Sequence, residues 1–338
     1  MNYRLLADTG VFVSELCLGA MTFGSSGSVW ETIGGLDQKA ADRIVHRALD
    51  AGINFIDTAN VYSAGDSETM VGKALAGRRQ DVVLATKVRG RMGPGANQVG
   101  LSRAHILDSV DASLERLGTD YIDLYQIHRE DPLTGVEDTL RALDDLVRAG
   151  KVRYIGCSNL FAWQIMKAIG ISREQHLERF RCTQSYYSLA GRELEREIVP
   201  LLKDQGLGLL VWSPLAGGFL SGKFTPEGGE GRRAKFKFPP IDEQRTFATL
   251  DVMKVVAERH GVSVAQVALA WLLAREAVTS VIIGAKSVAQ LDDNLKSIDV
   301  TLSTDDIKAL DDISALAPEY PAWMESLGSD RRPGERRY

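Results

Sequence analysis

At 338 residues the chain is long for an ordinary domain but normal for an α/β barrel, so its length does not force two domains. With 44% hydrophobic and 7% aromatic residues it can bury a large core. Its 40 basic against 45 acidic residues, a net charge of −5, argue against general nucleic-acid binding. No apolar run approaches a membrane span, and Met1-Asn2-Tyr3-Arg4-Leu5-Leu6 has no signal-peptide pattern, so the chain reads as cytoplasmic.

In chain order, a first strand is expected at 16–21. Residues 37–51 carry Ala40, Ile44, Val45, Ala48 and Leu49 at helical spacing and end at Gly52, a residue suited to closing a helix. Strands at 54–58 and 82–88 follow. Ser102 can cap a helix over 103–117 that stops at Gly118, before a strand at 121–127. A helix over 136–149 stops at Gly150, and strands at 152–158, 181–187 and 207–212 come next. Two adjacent helical patterns, 244–260 and 263–275, precede the last strand at 280–283, and one of them is extra to the simple repeat. Ser287 begins a helix to 298, and Ser303 caps another to 315.

The strands are short apolar runs rather than strict alternations, as strands buried on both faces are. Strands alternating with helices give a closed barrel or an open doubly wound sheet, and a count of eight favours a (β/α)8 TIM barrel. No linker or composition break divides the chain, so 1–338 is expected to be a single domain with 316–338 as a tail over the barrel mouth. Cys17, Cys157 and Cys182 fall inside expected strands and read as buried reduced thiols. The histidines 46, 105, 128, 176 and 260 show no metal-ligand spacing, so no structural metal is expected. Long connections at 24–36, 90–100, 129–135 and 217–241 follow strand C-termini, where barrels carry their functional loops. The 217–241 stretch holds Lys223, Arg232, Arg233, Lys235 and Lys237 beside Phe224, Phe236 and Phe238. It reads equally as a flap over an anionic ligand and as a solvated loop, and only weakly as a nucleic-acid patch.

Four polar residues stand at, or just past, the ends of three consecutive runs: Asp57 and Tyr62, Lys87, and His128. In a parallel barrel they would share one mouth. A free phenol has a pKa of about 10, and an adjacent ammonium lowers it. Lys87 is therefore expected to acidify Tyr62, with Asp57 holding Lys87 in place. Tyr62 would then serve as general acid to a carbonyl oxygen, and neutral His128 would orient that oxygen. No GxSxG occurs, so a serine hydrolase is unsupported. Later strand ends carry Ser158-Asn159, Gln184 and Ser213-Pro214-Leu215-Ala216-Gly217-Gly218. An amide there could bind a carboxamide, and the Trp212 ring could stack on a heterocycle. Gly284-Ala285-Lys286-Ser287 runs into a helix N-terminus, the usual anion position of a barrel. No Rossmann fingerprint is present: Gly206-Leu207-Gly208 lacks the third glycine and a following helix.

Several segments together resemble the aldo-keto reductase superfamily. They are Leu18 to Gly24, Asn54-Phe55-Ile56-Asp57-Thr58-Ala59 with Tyr62, Leu114 through His128, Val152 to Asn159, and Trp212-Ser213-Pro214-Leu215-Ala216. The resemblance covers nearly the whole chain. It implies a barrel oxidoreductase that reduces an aldehyde or ketone with NADPH or NADH, without a Rossmann domain. It makes Tyr62 the proton donor and Asp57, Lys87 and His128 its partners. It puts Ser158, Asn159 and Gln184 on the nicotinamide carboxamide and Trp212 against the ring. Ser213, Pro214, Leu215, Gly217 and Lys223 would neighbour the pyrophosphate, with Gly19, Met21, Thr22, Asp57 and Ile283 also lining the cofactor. Gly284, Ala285, Lys286, Ser287, Gln290 and Asn294 would hold the adenosine end. Lys286 as a 2′-phosphate contact favours NADP, although Gln290 stands where several members have Arg and Trp212 where many have Tyr.

Phe23, Trp30, Tyr62, His128 and Arg129 are the candidate substrate contacts, with Tyr320, Trp323 and Met324 of the tail. Their aromatic character suggests a bulky apolar or aromatic carbonyl. A monomer suffices for this chemistry, and no macromolecular partner is implied. An alternative comes from Gly100 to Ile106 and Trp212 to Ala216, which also resemble β-subunits of voltage-gated potassium channels and imply a cofactor-sensing regulatory subunit. His128 and the short segment before Leu16 count against it.

Overall fold

In the computed structural model, residues 1–225, 228–229 and 232–324 are described, with the side chains of 28, 29 and 232 left aside. The expected tail beyond Met324, and residues 226, 227, 230 and 231 of the long connection, lie outside this set. A hairpin comes first, β1 (Tyr3–Leu5) with β2 (Phe12–Ser14). Then follow β3 (Leu16–Gly19), β4 (Phe55–Asp57), β5 (Val83–Val88), β6 (Ile122–Ile127), β7 (Val152–Ser158), β8 (Phe180–Tyr186) and β9 (Gly208–Trp212). Two short strands, β10 (Phe224–Thr225) and β11 (Gly228–Gly229), pair within the long connection before β12 (Val278–Ile283). β12 and β3 through β9 close into a parallel barrel in the order β12-β3-β4-β5-β6-β7-β8-β9. The eight expected strands are these eight.

The apolar runs need cover on both sides, and they have it. Inside the barrel, Cys17, Phe55, Ala85, Leu124, Cys182 and Leu210 form one core cluster, closed from below by Leu6 and Val13 around the hairpin. Outside, the strands pack against the helical ring in a larger cluster that includes Val45, Ile106, Leu143, Ile165 and Trp271. The caps act as their chemistry dictates. Ser102, Ser287 and Ser303 accept from the backbone N–H groups of His105, Gln290 and Asp306. Gly118 closes its helix in the left-handed region at φ 63°. Among the described residues no helix is long and apolar enough to cross a membrane.

Several elements carry no clear signal in the sequence. The hairpin is too short for a period to show. Helix Ala162–Gln175 buries polar Gln164 and Ser172 along with its apolar residues, which blurs its stripe. Helix Ile198–Gln205 holds Pro200 in its first turn, where proline is tolerated but reads as a breaker.

The N-terminal face of the barrel is tied by charge. Asp123 on β6 is buried and accepts from Arg79 at 2.8 Å, from Arg153 at 2.7 Å and from the backbone N–H of Leu84 at 2.9 Å. The same two guanidinium groups lie 4.1 and 3.9 Å from the Tyr121 ring centroid. Removing one member of such a buried set strands the others. Asp123→Asn should therefore destabilise the fold by about 2 kcal/mol, discounted because Arg153 reaches solvent. Urea denaturation measures this as a fall in midpoint at unchanged slope, with catalysis by the intact fold little altered.

Candidate active site

The site begins with strand register. Asp57 ends β4 opposite Ala85 of β5, so Lys87, two residues further on, faces the same interior. Lys87 is fully buried, and its Nζ donates to Asp57 Oδ2 at 2.5 Å, to the Thr58 carbonyl at 2.9 Å and to Tyr62 Oη at 3.4 Å. Tyr62 is delivered by the turn Tyr62–Gly65, in which Ser63 (φ 48°) and Ala64 (φ 54°) occupy the left-handed region. That conformation is strained for residues with a Cβ. Hydroxyls hold it there: Ser63 Oγ donates to the Phe23 carbonyl at 3.0 Å, and Ser67 Oγ to the Ala20 carbonyl at 2.7 Å. His128 follows β6, its backbone N–H donating to the Val88 carbonyl at 2.9 Å. Its ring meets the Tyr62 ring edge-on at 5.7 Å, and Trp30 lies 5.3 Å from Tyr62 on a tilted plane.

The electrostatics correct one expectation. Burial, the largest influence, pushes the Tyr62 phenol above its ordinary pKa, and Asp57 adds to this, while Lys87 pulls it back only in part. The ammonium alone would lower the pKa of the phenol; burial outweighs it. Burial also works most strongly on Lys87, against its charge, but Asp57 and Tyr62 together hold its ammonium above the usual range. His128 is brought down to about 3, first by burial and then by the charges of Lys87, Arg129 and Arg89. Its imidazole is neutral at any physiological pH.

Across the mouth, Ser158 Oγ donates to the Gln184 carbonyl at 2.7 Å. Asn159, held at φ 56°, donates from Nδ2 to the His128 carbonyl at 3.0 Å and accepts from Trp212 Nε1 at 3.0 Å. The indole is thus fixed, with Tyr186 at 5.1 Å and Phe238 stacked in parallel at 5.7 Å. Beyond it, Ser213, Ala216, Gly217 and Gly218 all have positive φ, and the Gly217 N–H donates to Ser213 Oγ at 2.9 Å. Pro214 is buried, Leu215 half-buried and Lys223 exposed. At the end of β12, buried Thr22 donates to the Ala285 carbonyl at 3.1 Å and Asn294 to the Gly284 carbonyl at 3.4 Å. Gln290 accepts from the Lys286 N–H at 2.8 Å and is capped by Ser287. Gly19 and Ile283 are buried and Met21 half-buried beside this turn.

One substrate candidate, Phe23, sits differently from its expectation. Phe23 is fully buried in the outer core, because its segment packs under the Tyr62 turn, and it offers no surface to the mouth. The tail residues Tyr320, Trp323 and Met324 are exposed, next to a Glu319–Arg196 ion pair at 2.7 Å. Arg129 is exposed beside His128. Gln126 and Tyr186 were not singled out by sequence, and Phe238 only as part of the 217–241 stretch. Gln126 did carry a signal, as the one amide in the apolar run 121–127.

A buried ammonium touching a phenol, beside a neutral imidazole, defines a barrel site for polarising a carbonyl. The family model described as Aldo/keto reductase family matches residues 15–315. The chain is 39% identical to the oxidoreductase YrpG of Bacillus subtilis (strain 168), over 96% of this chain and 100% of that one. It is 36% identical to the versiconal hemiacetal acetate reductase of Aspergillus parasiticus, covering 92% and 96%. A probable voltage-gated potassium channel subunit beta of Oryza sativa subsp. japonica is 37% identical, covering 96% and 99%. The chain belongs to the aldo/keto reductase family and is an oxidoreductase, of a kind that works with a nicotinamide cofactor on small carbonyl compounds.

The pKa directions set a pH profile. Tyr62 keeps its proton to above about pH 10 and His128 stays neutral to about pH 3. For carbonyl reduction, kcat should be flat from about pH 5 to about pH 9. Steady-state rates in constant-ionic-strength buffers measure this, and an inflection near pH 6.5 would mean that His128 titrates in the site.

Proposed function

We propose that the chain, working as a single catalytic domain, reduces an aldehyde or ketone to an alcohol with NADPH, Tyr62 giving the proton. Bound NADPH supplies hydride from nicotinamide C4. The observation that carries the reading is the contact series Asp57–Lys87–Tyr62, with Lys87 Nζ 2.5 Å from the carboxylate and 3.4 Å from the phenol. As the phenolic proton leaves for the substrate oxygen, the new phenolate stands against an ammonium that stays charged. His128 offers the same oxygen an N–H from a neutral ring. Alcohol oxidation uses these groups in reverse.

The residues around the mouth fit the cofactor. Asn159 and Tyr186 hold Trp212 as a flat stacking surface, on which the Phe238 ring lies parallel. Ser158, Asn159 and Gln184 are our candidates for the carboxamide. The turn at Ser213, Pro214, Leu215 and Gly217, in which Ser213 and Gly217 have positive φ, suits a pyrophosphate together with Lys223. Gly284, Ala285, Lys286 and Ser287 with Gln290 and Asn294 suit the adenosine end, and Gly19, Met21, Thr22 and Ile283 line the path between. Lys286 is the proposed 2′-phosphate contact, favouring NADP over NAD. Trp30, Tyr62 and His128 present ring edges and faces, which suits an aromatic or bulky apolar carbonyl, with Arg129 at the rim. Three buried free thiols suit the reducing cytoplasm.

A second reading, a cofactor-sensing regulatory subunit, draws on the likeness to the rice channel subunit. A panel of carbonyls with NADPH separates the two: sustained turnover supports the reductase, and tight NADPH binding with negligible turnover supports the sensor. Tyr62→Phe should lower kcat by about 10²–10⁴ while NADPH affinity stays within about twofold; full activity in that variant would sink the acid assignment. Lys286→Met should weaken NADPH about tenfold and NADH hardly at all, as titrated by quenching of tryptophan fluorescence.

A further inference from the structure

Asp57 has a second oxygen, and two amides converge on it. Gln184 Nε2 donates to Asp57 Oδ1 at 2.8 Å and Gln126 Nε2 donates to the same atom at 3.1 Å. Gln184 Nε2 also reaches Gln126 Oε1 at 3.3 Å, closing a ring of three hydrogen bonds. All three side chains are essentially inaccessible to solvent. The amide orientations follow from chemistry, since a carboxylate accepts only and each flipped amide would turn its oxygen against Oδ1.

Register places this ring. Gln126 pairs with Lys87 on one side and with Gly156 on the other. Gly156 is what lets β6 and β8 meet across β7. A Cβ there would lie 3.2 Å from Gln126 Cγ and 3.0 Å from Cys182 Sγ.

We propose that Gln126 is a positioning residue for the reductase site, fixing Asp57 and Gln184 in one hydrogen-bonded ring that links the carboxamide end of the cofactor site to the proton donor. This rests on the reading above. Gln126 holds Asp57 Oδ1 so that Oδ2 faces Lys87. It also holds Gln184 Nε2 inward, leaving Gln184 Oε1 to accept from a carboxamide. The titratable groups around Asp57 are Lys87 on β5, Tyr62 in its turn, Cys17 on β3 and Cys182 on β8. Burial pushes both thiols far up, so they stay neutral.

Two variants test this. Gln126→Met keeps length and volume but makes neither bond. It should lower kcat about tenfold and raise the NADPH Kd several-fold by fluorescence quenching, with a melting temperature close to wild type. Gln126→Glu sets an ionised carboxylate against Asp57. It should lose about a hundredfold near pH 8 and recover most of that near pH 5, where its O–H can replace the amide donor; wild type and Gln126→Met should show no such recovery. Unchanged kcat and Kd in Gln126→Met, or a loss in Gln126→Glu that ignores pH, would overturn the positioning role. If wild-type protein turns over no carbonyl while Gln126→Met still weakens NADPH, the reductase reading falls and the ring stands. If wild type turns over and both variants match it, the ring falls and the reductase stands.

Discussion

The site depends on one buried charge. Placing an ammonium where solvent cannot reach it costs several kcal/mol unless it is paired and its protons are used. Lys87 meets both conditions, through Asp57, the Thr58 carbonyl and the Tyr62 hydroxyl. The same exclusion of water strengthens its field at the phenol. Neither half can be altered alone: a solvated Lys87 would be stable without Asp57 but would act weakly on Tyr62.

Holding Tyr62 against that charge demands a turn the chain would not otherwise adopt. Ser63 and Ala64 are left-handed and are kept so by hydroxyl–carbonyl bonds to the segment after β3. Close packing adds to this: a Cβ on Gly24 would lie 2.8 Å from Asp66 Cβ and 2.9 Å from Ser63 Cβ. The first βα connection is therefore pressed onto the second, and Trp30 arrives beside Tyr62 on the same segment. Strain beside Tyr62 is balanced by bonds from a neighbouring loop, a pattern expected where geometry serves chemistry.

How much of this was legible follows from which physics is one-dimensional. The barrel strands were readable because burial on both faces leaves continuous apolar runs, and Asp57, Lys87 and His128 stood out as polar interruptions at their ends. Their meeting was readable because parallel strands bring their C-termini together. The direction of the Tyr62 shift was not, since burial of a turn residue depends on the loops that cover it. Phe23, expected among the substrate contacts, is turned into the core by packing under the Tyr62 turn. Gln126 was hidden for the opposite reason. An amide inside an apolar run is visible, but its partners lie on β4 and β8, and only the register and the missing side chain of Gly156 bring them together.

A phenol whose pKa lies above its usual value looks ill-suited to act as an acid, yet the ground state is the wrong place to judge it. An acid that never ionises near neutrality is always loaded, so no fraction of enzyme is lost to the wrong protonation state. What matters is how the environment responds as the proton leaves. Burial disfavours an isolated phenolate, but in the proposed reaction the proton would move to an oxygen that is itself gaining electrons, and the negative charge would appear beside an ammonium already in position. No solvent has to reorganise, because Lys87 is fixed by three bonds before the reaction starts. The raised ground-state value and the proposed proton donation are thus compatible consequences of the same burial.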